Sequence, residues 1–221
     1  MADIVIFGAS MSAQVARVFL EKDTDHRVVG FTVDAAYATS DRFDELPLVP
    51  WERLEEAFPP TQVQLLGPIS YRRLNELRRD RYLEGKARGY RFASFIHPTC
   101  VVYTKEIGEH CFILARTIIE PHARIGNNVI IWGDSYIAHH AVVGDHCFFS
   151  GRVGIAGGTR VGERCFLGGQ STVSEGLTIG DGCLLSLGTI VTKNIPPGSI
   201  VRRTAKNRIS PVPAARMRNF L

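Results

Sequence analysis

From Val101 to Val191 every sixth residue is large and aliphatic or aromatic. The column reads Val101, Ile107, Ile113, Ile119, Ile125, Ile131, Ile137, Val143, Phe149, Ile155, Val161, Leu167, Val173, Ile179, Leu185, Val191. A slower beat lies on top of it, with Ile107-Gly108, Ile125-Gly126, Val143-Gly144, Val161-Gly162 and Ile179-Gly180 recurring every eighteen residues. A helix repeats at 3.6 residues and a half-buried strand at 2, so neither produces a period of six. A triangular coil does: three flat six-residue faces per turn, each adding a strand to a parallel sheet, each turn about 4.8 Å above the last. Four residues after each column position sits a small or β-branched side chain, from Cys111 and Thr117 to Cys183 and Thr189, with Leu177 the large exception. Both columns are expected to point inward, because one turn is too thin to bury anything and must stack on its neighbours. The unbroken repeat predicts a left-handed parallel β-helix over residues 93–195, with no long excursion loop inside it.

Residues 1–92 lack this beat and read as a small α/β domain, Rossmann-like in its alternation. Asp3-Ile4-Val5-Ile6-Phe7 is a buried parallel strand entering a turn of small residues. Ser12 is expected to cap a helix through Val15, Val18, Phe19 and Leu20, and Arg27–Val33 forms a second strand. A short helix over Trp51–Phe58, a strand over Val63–Leu66 and a basic helix over Tyr71–Arg88 follow, and Phe92–Ile96 leads into the coil. Strands alternating with helices imply a parallel sheet covered on both faces, whose ligands bind beyond the carboxyl ends of the strands. There Gly8-Ala9-Ser10 offers backbone amides at a helix N-terminus, a place that attracts phosphate. Asp34 stands where a ribose or base is hydrogen-bonded, and Ser70, Asn75 and Arg78 follow the third strand. Gly8, Ser10, Asp34, Ser70 and Asn75 are therefore the substrate-binding candidates, although an ordinary strand–helix turn looks much like Gly-Ala-Ser.

Composition narrows the partners. No apolar run is long enough to span a bilayer, and Met1-Ala2-Asp3 opens no secretory signal, so a soluble cytoplasmic protein without membrane insertion is expected. Cys111, Cys147, Cys165 and Cys183 share one column and form no CxxC pair, which makes them small core fillers and not metal ligands. The net charge of +4 is uneven. From Thr192 onward the chain carries Lys193, Arg202, Arg203, Lys206, Arg208, Arg216 and Arg218 and no acid. Residues 196–221 thus read as a basic tail. Without aromatic interleaving or an amphipathic period it suits a soluble anionic cofactor better than nucleic acid or membrane.

Ile6-Phe7-Gly8-Ala9-Ser10, Gly30-Phe31-Thr32-Val33-Asp34, the full repeat and above all Ile137-Ala138-His139-His140-Ala141-Val142-Val143-Gly144-Asp145-His146-Cys147 carry a resemblance that covers nearly the whole chain. The sequence resembles the sugar O-acyltransferases and nucleotide-sugar N-acetyltransferases of bacterial glycan pathways. The resemblance implies a homotrimer that binds acetyl-CoA as co-substrate between adjacent coils, a nucleotide-linked amino sugar as acceptor, and a catalytic histidine at His139. It further implies a backbone amide at Gly157 and cofactor contacts at Gly169 and Leu187. The phosphates of the cofactor are expected near Lys193, Lys206 and Arg208. The chain departs from the family pattern where Ser10-Met11-Ser12 replaces a glycine-histidine turn, where His140 replaces the acid after the histidine, and where Arg203-Thr204-Ala205-Lys206 replaces the usual end of the coil.

The residues point to the same place independently. His139 and His140 follow the inward Ile137 by two and three positions, hence lie at a corner, and Gly157 and Gly158 stand one turn above them. Acyl transfer needs a base for the acceptor's proton and donors for the oxyanion, and histidine beside an uncovered glycine amide supplies both. His140 shares its column with His122, so these two are also expected to stack. Outward Ile118, Ile130, Trp132 and Tyr136 are too apolar to leave wet and motivate a closed trimer. Two other functions fit the coil. A γ-type carbonic anhydrase requires three histidines converging on zinc, but His110/His146 and His122/His140 form pairs and no trio. A non-catalytic scaffold has no reason to hold acetyl-CoA. Whether nitrogen or oxygen is acylated, and whether the nucleotide is UDP, dTDP or GDP, is not written in the residues.

Overall fold

The computed structural model describes residues 1–67 and 71–203. Its N-terminal part runs β1 (Asp3–Phe7), α1 (Met11–Asp23), β2 (Arg27–Val33), β3 (Arg42–Phe43), β4 (Leu46–Pro50), α2 (Leu54–Ala57), β5 (Val63–Leu66), α3 (Glu76–Ala87) and β6 (Arg91–Phe92). The strands form one sheet in the order β3-β4-β2-β1-β5-β6, parallel except for the β3–β4 hairpin. Central β1 is buried on both faces, which is why it reads as an unbroken apolar run. Ile4 and Ile6 pack with Ala13, Ala16 and Leu20 of α1, and Val5 and Phe7 pack with Trp51, Leu54 and Tyr90.

Local boundaries differ from expectation at three points. Ser10, not Ser12, flanks the start of α1, and Ser12 sits in the first turn. Helix α3 begins at Glu76 and not at Tyr71, because Arg73, Leu74 and Asn75 take left-handed φ values of 52°, 51° and 66°. The β3–β4 hairpin was not anticipated: its proline-containing strand reads as loop, and only pairing of Phe31 with Leu48 makes it part of the sheet.

Past Phe95 the chain winds as a parallel β-helix with three stacks of two-residue strands. The first face holds Phe112–Ile113, Ile130–Ile131 and Phe148–Phe149 among others. The second holds Ile118–Ile119, Tyr136–Ile137 and Gly154–Ile155, and the third holds Arg124–Ile125, Val142–Val143 and Arg160–Val161. The expected columns fill the interior: Ile113, Ile119, Ile131, Ile137, Phe149 and Ile155 are wholly buried, as are Cys111, Cys147, Cys165 and Cys183. The slow glycine beat has a steric cause at the corner between third and first faces. A Cβ on Gly144 would lie 2.8 Å from the backbone carbon of Gly162 in the turn above. Val101 departs from the column. It faces outward at 44% exposure, and Val102 takes the inner seat under Ile119. The first turn is thus one residue short, and at the other end Ile195 closes against Ile179 in a shortened last turn.

The N-terminal part is seated on the first face. Outward Phe95, Phe112, Ile130 and Phe148 belong to the same apolar cluster as Ile4, Ile6, Ala16 and Leu20, and none is more than 7% exposed. Ile130 and half-buried Trp132 are therefore covered within the chain and do not argue for a partner. Ile118 and Tyr136, on the second face, remain 37% and 41% exposed. A second seam lies at the corner between third and first faces. There the fully buried Arg78 donates from Nη2 to the carbonyls of His146 at 2.8 Å and Cys147 at 3.1 Å, and from Nη1 to that of Asn128. Burial lowers the Arg78 pKa to about 10, which leaves it charged at neutral pH.

Candidate active site

The corner between second and third faces stacks Glu120-Pro121-His122, Ala138-His139-His140 and Ala156-Gly157-Gly158. His122, His140 and Gly158 occupy the left-handed turn position, with φ of 62°, 60° and 65°. His139 precedes that position and is exposed. Its imidazole lies against Gly157: an ideal Cβ on that glycine would stand 2.6 Å from Cε1 and 2.9 Å from Nε2. Only glycine leaves room for the ring. Gly157 is consequently buried beneath the imidazole and not laid open to solvent as the sequence suggested.

Backbone bonding at this corner is uneven for a reason visible in the sequence. The N–H of His139 donates to Glu120 Oε2 at 2.8 Å, and Glu120 Oε1 accepts from the Tyr136 hydroxyl at 2.6 Å. One turn higher the place of Glu120 is taken by Ala138, which has no acceptor to offer. The Gly157 N–H accordingly donates to no group among the described residues. The hydrogen bonds from Tyr136 and from the His139 amide hold the Glu120 carboxyl below the usual carboxylate range. His139 Nδ1 stands 3.2 Å from His140 Nδ1, and the His140 ring lies 4.7 Å from that of His122, as the shared column implied. Neither Glu120 nor Tyr136 was among the sequence candidates. The eighteen-residue beat could have found Glu120, since it puts that residue directly beneath Ala138.

The other candidates divide between several places. Lys193 is three turns above His139 in the same column and exposed. Gly169 and Leu187 lie on the corner between first and second faces, where an added Cβ on Gly169 would meet Leu187 Cδ1 at 3.3 Å. In one chain they are separated from His139 by the full width of the second face. Gly8, Ser10 and Asp34 line a cavity of about 300 Å³ at the carboxyl ends of β1 and β2, together with Tyr37, Arg72 and Leu77. Asp34 is already engaged there, accepting from Arg81 Nε at 2.7 Å. Asn75 is not in this crevice. It is wholly buried at the seam, donating to the carbonyls of Arg164 and Cys165 and accepting from Arg78. Ser70, Lys206 and Arg208 lie outside the described residues.

Beside the crevice is a second cavity of about 260 Å³ between α1 and the first face, lined by Ser12, Tyr71, Trp132, Phe148, Ser150 and Gly151. Ser10 and Arg72 belong to one cavity and Ser12 and Tyr71 to the other, so the two meet at the start of α1 and at the turn before α3. Among the described residues no group of three or more His, Cys, Asp or Glu side chains is arranged to hold a metal ion. No helix among them is long and apolar enough to cross a membrane.

These features define a parallel β-helix built on a six-residue repeat. The coil matches the bacterial transferase hexapeptide model over residues 104–139 and 122–157, and the hexapeptide repeat of succinyl-transferase over residues 158–193. Solved structures share the architecture through the N-terminal part as well. A mutant of perosamine N-acetyltransferase from Caulobacter crescentus, in complex with CoA and GDP-perosamine, superposes with a TM-score of 0.77 at 22% identity, covering 90% of this chain and 93% of that one. The acetyltransferase domain of PglB from Neisseria gonorrhoeae FA1090, in complex with acetyl coenzyme A, gives 0.78 at 19% identity over 90% and 94%. WeeI from Acinetobacter baumannii AYE gives 0.58 at 17% identity over 90% and 96%. Among curated proteins none matches the chain by sequence.

Proposed function

We propose that the protein is a cytoplasmic acetyl-CoA-dependent acetyltransferase acting on the amino or hydroxyl group of a nucleotide-linked sugar. The observation that carries this reading is the His139 imidazole packed on a glycine whose N–H is unspent. The acceptor's lone pair attacks the thioester carbonyl carbon while His139 Nε2 takes its proton. The Gly157 N–H steadies the oxyanion of the tetrahedral intermediate. Collapse breaks the carbon–sulfur bond, and the departing thiolate of coenzyme A receives the proton from His139. For Nε2 to act, Nδ1 must carry the other proton and donate to His140 Nδ1, a tautomer that His140 supports. His140 thus stands in for the acid found there in the family that the sequence resembles.

The cavities fit the acceptor. The crevice over Gly8 and Ser10 would take the nucleotide, with its phosphates at the first amides of α1. The adjoining aromatic cavity is sized for one sugar ring. A sugar there is a full face away from the chain's own His139. A second copy that sets its corner of Gly157 and Lys193 against the corner of Gly169 and Leu187 would close the distance, which supports a trimer with a cleft between neighbours. The ligands held by the similar structures, CoA with GDP-perosamine and acetyl coenzyme A, are of the same two classes.

Purified protein supplied with acetyl-CoA and UDP-, dTDP- and GDP-amino sugars should release free thiol with at least one of them. His139→Ala should reduce that rate by roughly 10²–10⁴-fold while leaving acetyl-CoA affinity nearly unchanged. Light scattering should return a trimer. A protein that binds neither acetyl-CoA nor a nucleotide sugar would be a scaffold.

A further inference from the structure

His139 lacks the acid that would ordinarily follow it, yet a carboxylate stands close by from an unexpected direction. Glu120 approaches from the turn below. It is tied at both oxygens, accepting from the His139 N–H at 2.8 Å and from the Tyr136 hydroxyl at 2.6 Å. Tyr136 projects from the strand that leads into the His139 corner, so one segment supplies both the clamp and the residue it serves. We propose that Glu120, held by Tyr136, is the positioning residue that stabilises the His139 imidazolium formed during proton transfer. This rests on His139 being the general base proposed above.

The geometry favours this over an incidental corner contact in two respects. First, the carboxylate is fixed to the backbone N–H of His139 itself, so its negative charge stays beside that residue, and a nearby negative charge favours the protonated imidazole. The charge of His139 in turn contributes to holding Glu120 ionised. Second, the other groups at this corner cannot supply that charge. His140 and His122 are neutral or positive, Tyr136 stays a neutral donor because its pKa is raised by the bond to Glu120, and Gly157 lies above. Glu120 is also absent from the equivalent position under Gly157, where Ala138 stands. The same corner therefore carries a fixed negative charge beneath the base and an unspent N–H beside it, the two polarities that proton abstraction and oxyanion formation require of one site.

The test reads the charge without disturbing the fold. In Glu120→Gln the amide oxygen can still accept the His139 N–H and the NH2 can donate to the Tyr136 hydroxyl oxygen, so the charge is removed with both contacts kept. The His139 imidazole would be titrated by NMR in the full chain without substrates, its signals assigned by their loss in His139→Ala. The experiment would be repeated in His140→Ala and His122→Ala backgrounds, because His140 faces the ring and His122 packs on His140. Losing the unit charge should move the imidazole signals' midpoint to lower pH. The acid limb of kcat/KM should move to lower pH in step with it, with KM for acetyl-CoA unchanged. Tyr136→Phe, which keeps the charge but frees one oxygen, should shift the titration in the same direction by less. A His139 titration identical in wild type and Glu120→Gln, or displaced upward, overturns the proposal. Wild-type turnover in His139→Ala would instead sink the general-base assignment, and it is read in a different assay.

Discussion

The contact between His139 and Gly157 makes a prediction that separates catalysis from stability. In Gly157→Ala the new methyl carbon would lie 2.6 Å from Cε1, 2.9 Å from Nε2 and 3.1 Å from Nδ1 of His139, whereas ordinary contact begins near 3.4 Å. The ring must therefore retreat by about 0.8 Å, the difference between 3.4 and 2.6. A base misplaced by about 1 Å loses on the order of 10²-fold in rate, or ~2.7 kcal/mol of barrier. Gly157 is not among the residues with left-handed φ, so its backbone accepts alanine, and the ring is exposed and free to swing away. Gly157→Ala should thus lower kcat about 100-fold and leave the thermal midpoint unmoved or slightly raised.

The neighbour supplies the opposite case. Gly158 has φ of 65°, and a Cβ there meets nothing within 4 Å. Gly158→Ala should cost about 1 kcal/mol of stability for the left-handed backbone and keep kcat. Calorimetry and steady-state thiol release on the same preparations measure both quantities. In a His139→Ala background the Gly157→Ala change should add no further loss, because the displaced group is already gone. A Gly157→Ala enzyme as fast as wild type, or an equal additional loss in that background, would refute the view that the glycine exists to seat the imidazole.

Other consequences follow from the seams and the tail. Arg78→Leu should destabilise the protein by about 3 kcal/mol, because it strands the buried carbonyls of Asn128 and His146, whereas that of Cys147 keeps the Ile130 N–H; urea unfolding checks this, and a loss below ~1 kcal/mol would contradict it. Burial lowers the pKa of His110 to about 3 and of His146 to about 4, so the unfolded chain binds protons near the ordinary 6.5 while the folded chain does not. Stability is then fully present above that value and falls with pH toward about 4 for His146 and about 3 for His110, His110 contributing up to ~1.4 kcal/mol per pH unit. The pH dependence of the urea midpoint should flatten in His110→Gln, and an unchanged slope would remove His110 from the account. If the basic tail receives the phosphates of coenzyme A, replacing Lys206 and Arg208 by alanine should raise KM for acetyl-CoA at low salt and leave KM for the sugar alone.

The coil was legible because its period is imposed by stacking. Each inward seat must be filled by a side chain of similar size in every turn, so the column from Ile107 to Val191 appears in the residues themselves. Phase is another matter. Val101 and Val102 are both aliphatic, and only the pairing of Ile119 with Val102 shows which one turns inward. The apolar character of Ile130 and Trp132 correctly announced that something covers them. Residue type does not tell whether the cover comes from a second copy or from the chain's own N-terminal part. Asn75 and Arg78 were misplaced for a related reason: polar residues after a third strand suit a ligand crevice, and nothing local reveals that the carbonyls they satisfy lie far along the chain, at Asn128, His146, Cys147, Arg164 and Cys165.

Glu120 shows how far the same beat could have been pushed. Column arithmetic that places Gly157 above His139 also places Glu120, Ala138 and Ala156 in one row at the edge of the corner. One acceptor followed by two alanines in that row means that the His139 amide is occupied and the next one up is free. What arithmetic on one chain cannot do is bring His139, Gly157 and Lys193 together with Gly169 and Leu187. They are two columns on two edges of one flat face, and no rotamer or loop crosses it. If all five serve one reaction, the missing width is supplied by a neighbouring coil, and the same second face that separates them within the chain, with Ile118 and Tyr136 still exposed on it, is the surface such a neighbour would meet.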